Sequence, residues 1–156
     1  MTFDIPGALK SLASAGVAIS ELSHWLKRSK GDSRALLTEI KNNLTYLDMV
    51  CNDKVPLEQV IDKISITEYQ RLSFDGYDFN SLKTKKISVY PSLKSTSLAS
   101  WSGKSTEELI ENIYDKINDL KIRHPLVSQN TNYRWSIRVN NIRKRIWLLL
   151  RHLRKA

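Results

Sequence analysis

Past Asp119 the chain has no acidic side chain. Its last 37 residues hold ten Lys and Arg and no Asp or Glu, whereas residues 1–119 hold 15 Lys and Arg against 16 Asp and Glu. The formal charge of +9 is therefore one basic segment, Lys121 to Lys155, joined to a near-neutral body. Cations held together repel unless something compensates them, so the segment implies an anionic partner, an anionic face elsewhere in the fold, or both.

Other absences narrow the field. One cysteine, Cys51, has no partner in the chain, so no intrachain disulfide forms and a reducing compartment is the simpler expectation. A small buried hydrophobe is the ordinary role of such a thiol. The start, Met1 to Pro6, lacks a basic region followed by a long apolar core, and Thr2 excludes N-myristoylation, so the mature chain is expected to begin here and to stay in the cytoplasm. Ser11 to Ser20, the longest uncharged stretch near the start, is about half the ~20 residues a bilayer requires. No G-x-S-x-G, H-E-x-x-H or paired C-x-x-C occurs, and no metal or cofactor is expected. Gly103-Lys104-Ser105 has the ending of a phosphate-binding loop, but the motif needs glycine at position 98, which is Leu98, and no apolar strand precedes it.

What is present is helical periodicity at the size of one domain: 156 residues, 41% apolar and 26% charged. A first helix is expected after Asp4 and Pro6, with Leu9, Leu12, Ile19, Leu22 and Leu26 on one face, stopping before Gly31. Asp32 or Ser33 caps a second, whose stripe is Leu36, Leu37, Ile40, Leu44, Leu47 and Cys51. Pro56 opens a short third with Leu57, Val60, Ile61 and Ile64, and a turn follows from Thr67 to Leu72. Ser105 and Glu108 have capping-box spacing ahead of Leu109, Ile113, Ile117 and Leu120, a helix that Pro125 is expected to end. The last starts near Asn132. The expected fold is an all-α, single-domain bundle of five or six helices.

Residues 74–104 break the pattern. Eight serines lie between Ser81 and Ser105, and only Ile87 to Tyr90 suggests an extended piece. Lys83, Lys85, Lys86, Lys94 and Lys104 alternate with Tyr77, Phe79, Tyr90 and Trp101, a mixture suited to stacking bases and contacting phosphates. The plainer expectation is a solvated loop whose aromatics anchor it to the bundle.

In the basic helix, about 132–156, Trp135, Val139, Ile142, Ile146, Leu149 and Leu153 share one face. Ile146 to Leu150 are five consecutive apolar residues at about 100° each, so for a turn and a half the helix has no polar side. Neighbouring helices, a partner or lipid must cover it. The first option makes this the central helix, with long basic stems lying over apolar neighbours. The second is contact with nucleic acid phosphates through Arg134, Arg138, Arg143, Lys144, Arg145, Arg151, Arg154 and Lys155. The third is a membrane surface.

Glu108, Glu111, Asp115 and Asp119 form a carboxylate stripe on the preceding helix. No E-x-x-H accompanies it, so a metal is not expected; facing Arg138 and Arg145 of a second copy, it would build a head-to-tail oligomer. His24 and His124 stand alone near helix ends, as cap or surface residues. Arg145 and His152 lie seven apart on one face, an arrangement that resembles the R-x4-6-H motif of HEPN-type ribonucleases. That resemblance implies a small all-helical protein with its site across a dimer, His152 as general acid or base and Arg145 steadying phosphate. The function expected is a non-catalytic binding or assembly protein whose basic helix engages an anion, nucleic acid foremost; the ribonuclease is the alternative, as is an oligomer-forming or membrane-surface bundle.

Overall fold

Six α-helices follow one another in the computed structural model: α1 (Ala15–Arg28), α2 (Gly31–Asn52), α3 (Leu57–Val60), α4 (Thr67–Phe74), α5 (Thr106–Val127) and α6 (Trp135–Arg154). The structure describes residues 15–154, among which no strand occurs. The expected start after Asp4, with Pro6, Leu9 and Leu12, lies outside them. The protein is an all-α bundle.

Helix α6 packs against α1, α2 and α5. Ile146, Trp147, Leu148, Leu149 and Leu150 are all buried, so the belt without a polar side is covered by the protein's own helices and does not face lipid. The remaining stripes behave as their spacing requires: Leu36, Leu37, Ile40, Leu44 and Leu47 of α2 and Leu109, Ile113, Ile117 and Leu120 of α5 enter one core. Cys51, at the end of the α2 stripe, is half-buried.

Local chemistry sets the boundaries. At the head of α5, Ser105 Oγ accepts from Glu108 N–H at 3.2 Å, while the Glu108 carboxylate accepts from Ser105 N–H at 2.7 Å, a complete capping box. The helix does not stop at Pro125: it continues to Val127. A proline this close to a helix end removes a single ladder bond, which neighbouring packing outweighs. Helix α2 begins at Gly31, one residue ahead of the expected cap. Asp32 is inside its first turn, where it pairs with Arg71 of α4 at 3.3 Å, and the Ser33 hydroxyl donates to the Lys30 carbonyl.

The start of α4 is capped from a distance. The Glu39 carboxylate of α2 accepts from the backbone N–H of Glu68 (2.7 Å) and Tyr69 (3.2 Å), and from the Ser65 hydroxyl. Beside it the Asn43 amide grips the Ser65 backbone through both its oxygen and its nitrogen. A carboxylate at a helix N-terminus satisfies free N–H groups and opposes the positive end of the dipole. Lys121 of α5 serves the opposite polarity, donating to the carbonyls of Ile61 and Ile64 where the α3 turn ends.

Residues 79–101 form three short 3-10 turns, Phe79–Leu82, Pro91–Leu93 and Ser97–Trp101, rather than a free loop. Phe79, Ile87, Tyr90, Leu93, Leu98 and Trp101 are buried, and Tyr77 meets Phe79 edge-on at 5.1 Å. The aromatics proposed to stack bases are therefore anchors. Ile87 makes one extended rung, donating to Lys104 O and accepting from Gly103 N–H, which brings both ends of the segment together. Gly103 reaches this geometry at φ +82°, a conformation that favours glycine.

The polar link through the core is Arg143 to Asp48. Its Nε donates to Asp48 Oδ1 at 2.8 Å, joining α6 to α2, with both side chains almost fully buried. Leaving one charge of such a pair buried alone is strongly destabilising. Asp48→Ala should lower the unfolding free energy by about 3–5 kcal/mol in urea titrations, whereas Arg143→Met combined with Asp48→Leu should restore most of it.

Candidate functional site

Helix α6 distributes its cations among three environments, and burial by neighbouring helices decides which. Arg143 is in the core. Besides Asp48, it donates to Asn140 Oδ1 and its guanidinium lies 4.6 Å from the centre of the Trp147 ring. At 2% exposure it cannot reach a phosphate, which removes it from the set expected to touch nucleic acid. The same burial raises the Asp48 carboxyl above its ordinary value, with Arg143 opposing the rise. The Cys51 thiol is likewise pushed up by burial.

A second group lines the α5–α6 seam. Arg138 meets Asp119 at 3.0 Å, Arg145 Nε donates to Asn112 Oδ1 at 2.9 Å, and His152 Nε2 lies 2.8 Å from Thr106 Oγ1. Positions 138, 145 and 152 are two turns apart each and answer 119, 112 and 106 in reverse order, as antiparallel helices require. The Arg138 guanidinium also lies over the Tyr133 ring at 5.0 Å, and Tyr133 stacks on Trp135, whose ring is met edge-on by His124. His124 is buried in this corner rather than at the surface, whereas His24 is exposed. Asp119 holds Arg123 through its other oxygen at 2.6 Å.

The residues of two expectations are placed at this seam. In the carboxylate stripe, Asp119 binds Arg138 of its own chain and Glu108 is committed to the α5 cap, where the Ser105 backbone N–H holds its carboxyl below the ordinary value. Glu111 and Asp115 remain exposed. Arg145 and His152 do not form the paired site that the ribonuclease resemblance implies. His152 is 2% exposed, and Thr106 fixes its role. The single hydroxyl hydrogen of Thr106 goes to the Lys83 carbonyl at 2.7 Å, so its oxygen accepts from Nε2–H of His152. Burial, aided by Lys83, holds this imidazole down to about 4. It is neutral at physiological pH and has no reachable face for a ribose hydroxyl. Burial also lowers Arg145, which is tied to Asn112 and, through Nη1, to the Asn141 carbonyl.

The third group is in part solvated and gathers at one end of the bundle. The Lys83–Thr106–His152 bridge brings the 83–104 segment, the head of α5 and the tail of α6 together. Around it stand Lys83, Lys86 and Lys104 from the segment and Arg151 and Arg154 from α6. Lys104 and Lys86 act electrostatically on Glu108, and Arg151 acts on Tyr90. Lys86, Lys104 and Arg154 are exposed, while Lys83 and Arg151 are half-buried. Lys85 and Lys94 are exposed along the same segment, Lys144 is half-buried, and Lys155 lies outside the described residues. Arg134 is exposed in the turn before α6, in a left-handed conformation with φ +47°.

Sequence periodicity pointed to the α6 half of this surface and to the segment lysines separately. That the two meet depends on Thr106, a residue with no motif signal. Among the described residues no group that could hold a metal ion occurs, and no helix is long and apolar enough to cross a membrane. Comparison with protein-family models, curated proteins and solved structures finds no match for the chain.

Because the folded imidazole of His152 sits at about 4 against 6.5 unfolded, the sign of its effect on stability is set. Above pH 6.5 both states are neutral there; as the pH falls toward 4 the unfolded chain takes a proton that the folded chain refuses, and stability drops across that window by about 3 kcal/mol, then levels off. Urea denaturation of wild type and His152→Gln between pH 4 and 8 should show that drop in wild type and not in the variant.

Proposed function

We propose that this protein is a non-catalytic nucleic-acid-binding module that contacts phosphates with the solvated basic end of the bundle. Lys86, Lys104, Arg151 and Arg154, with Lys83 and Lys85, are the residues assigned to the contact. The observation that supports this reading is exposure: Lys86 and Lys104 of the 83–104 segment and Arg154 of α6, distant in sequence, are exposed at one end of the bundle, whereas Arg143 is buried and Arg138 and Arg145 are half-buried against α5. Exposed Lys and Arg are the groups that release counterions on meeting a phosphate backbone. The buried aromatics argue for backbone contact rather than base stacking, so duplex is expected to bind at least as well as single strands and with little sequence preference.

Titration of labelled duplex RNA and DNA over a salt series tests this. The logarithm of affinity should fall against the logarithm of salt with a slope of roughly −0.9 per phosphate contacted, and the Lys86→Gln, Lys104→Gln, Arg154→Gln triple variant should lose about three contacts' worth of that slope. Absence of binding at low salt, or an unchanged slope in the triple variant, would sink the proposal.

A further inference from the structure

The seam between α5 and α6 opens into a cleft of about 470 Å³, bounded by Asn112, Asp115, Lys116 and Asp119 on α5 and by Arg138 and Asn141 on α6. This volume lies in the range of small-molecule sites. Its polar groups are unevenly used. Both Asp119 oxygens are taken, by Arg123 and Arg138. Asn112 accepts from Arg145 through Oδ1, so its Nδ2 hydrogens are what it has left to offer. Among the described residues, Lys116 Nζ and the Asn141 side chain hold no hydrogen bond or ion pair, and Asp115 is the one carboxylate of the cleft without a cation. The cleft therefore presents donors from both helices, while the Asp115 carboxylate at its rim and the Asn141 amide oxygen are its uncommitted acceptors.

Charge points the same way. Lys116, Arg138 and the adjoining Arg145 supply three cations, against Asp115 and the already engaged Asp119. Burial, then Arg145 and Arg138, hold the Lys116 amine below its ordinary value, and Asp119 opposes them only in part. An anion seated among these groups would relieve that crowding. Donors carried by two helices that line one cleft suit a tetrahedral oxyanion better than a flat carboxylate, and the exposed Asp115 is placed to accept from a hydroxyl.

We propose that the α5–α6 cleft binds the phosphate monoester of a small polyol, with Lys116, Asn112 and Asn141 contacting the phosphate and Asp115 a hydroxyl. The site is separate from the basic end, since its α6 contact Asn141 and Arg151 are ten residues apart on one helix, about 15 Å along its axis.

Isothermal titration of the full chain with ribose 5-phosphate, inorganic phosphate and ribose, at constant ionic strength, tests the proposal. Ribose 5-phosphate is expected to bind saturably, inorganic phosphate more weakly, and ribose not at all. Lys116→Met should weaken ribose 5-phosphate about tenfold or more, and Asn141→Asp, at a side chain with no partner to lose, should abolish binding through repulsion. Asp115→Asn should tighten inorganic phosphate. The Lys86→Gln, Lys104→Gln, Arg154→Gln variant should bind ribose 5-phosphate like wild type, which separates this site from the nucleic-acid surface. No saturable heat from ribose 5-phosphate, no gain over inorganic phosphate, or equal affinity in folded Lys116→Met and Asn141→Asp variants would overturn it.

Discussion

The bundle depends on covering a helix that has no polar side for a turn and a half. Ile146 to Leu150 place apolar atoms all around α6, and α1, α2 and α5 must surround it before that surface leaves water. Once they do, any charge on the enclosed part of α6 has to be matched from within. Arg143 is the case in point: its position in the sequence puts it against α2, and Asp48 is there to meet it. The pair does little for net stability compared with an apolar substitute, but it penalises any arrangement of α2 against α6 that leaves either charge alone.

The same constraint shapes the polar seam. Where α6 is only partly enclosed, Arg138, Arg145 and His152 recur every two turns and are answered by a carboxylate, an amide and a hydroxyl from α5. Each answer differs in what it leaves over. Asp119 is saturated, Asn112 retains donors, and the Thr106 hydroxyl donates to the Lys83 carbonyl and so ties the basic segment to the end of the bundle. Structure and candidate function are thus parts of one series of contacts, running from a neutral, buried histidine at one end to a donor-rich cleft nearer the other.

Much of the fold was legible in the sequence because apolar periodicity survives tertiary packing: the stripes of α2, α5 and α6 are buried as their spacing implies, and the Ser105–Glu108 box forms. What periodicity did not supply was the reach between helices. Glu39 and Asn43 cap a helix about 25 residues downstream from inside the α2 sequence, where nothing distinguishes them from surface polar residues. Pro125 carried a local stop signal that packing overrode. The 74–104 segment lacked any regular period yet is anchored by six buried apolar side chains, since 3-10 turns bury single residues without a repeating pattern.

For the candidate sites the division is sharper. The sequence by itself determined how many cations there are, that they are concentrated past Asp119, and that α6 must be enclosed. Tertiary structure alone decided which cations remain in water. Arg143, Lys144 and Arg145 are consecutive, yet they point about 100° apart around the helix: one enters the core, one is half-exposed, and one lines the seam. Their partners, Asp48 and Asn112, are 95 and 33 residues away. A charge count is additive along the chain, whereas solvation depends on what the fold sets beside each group.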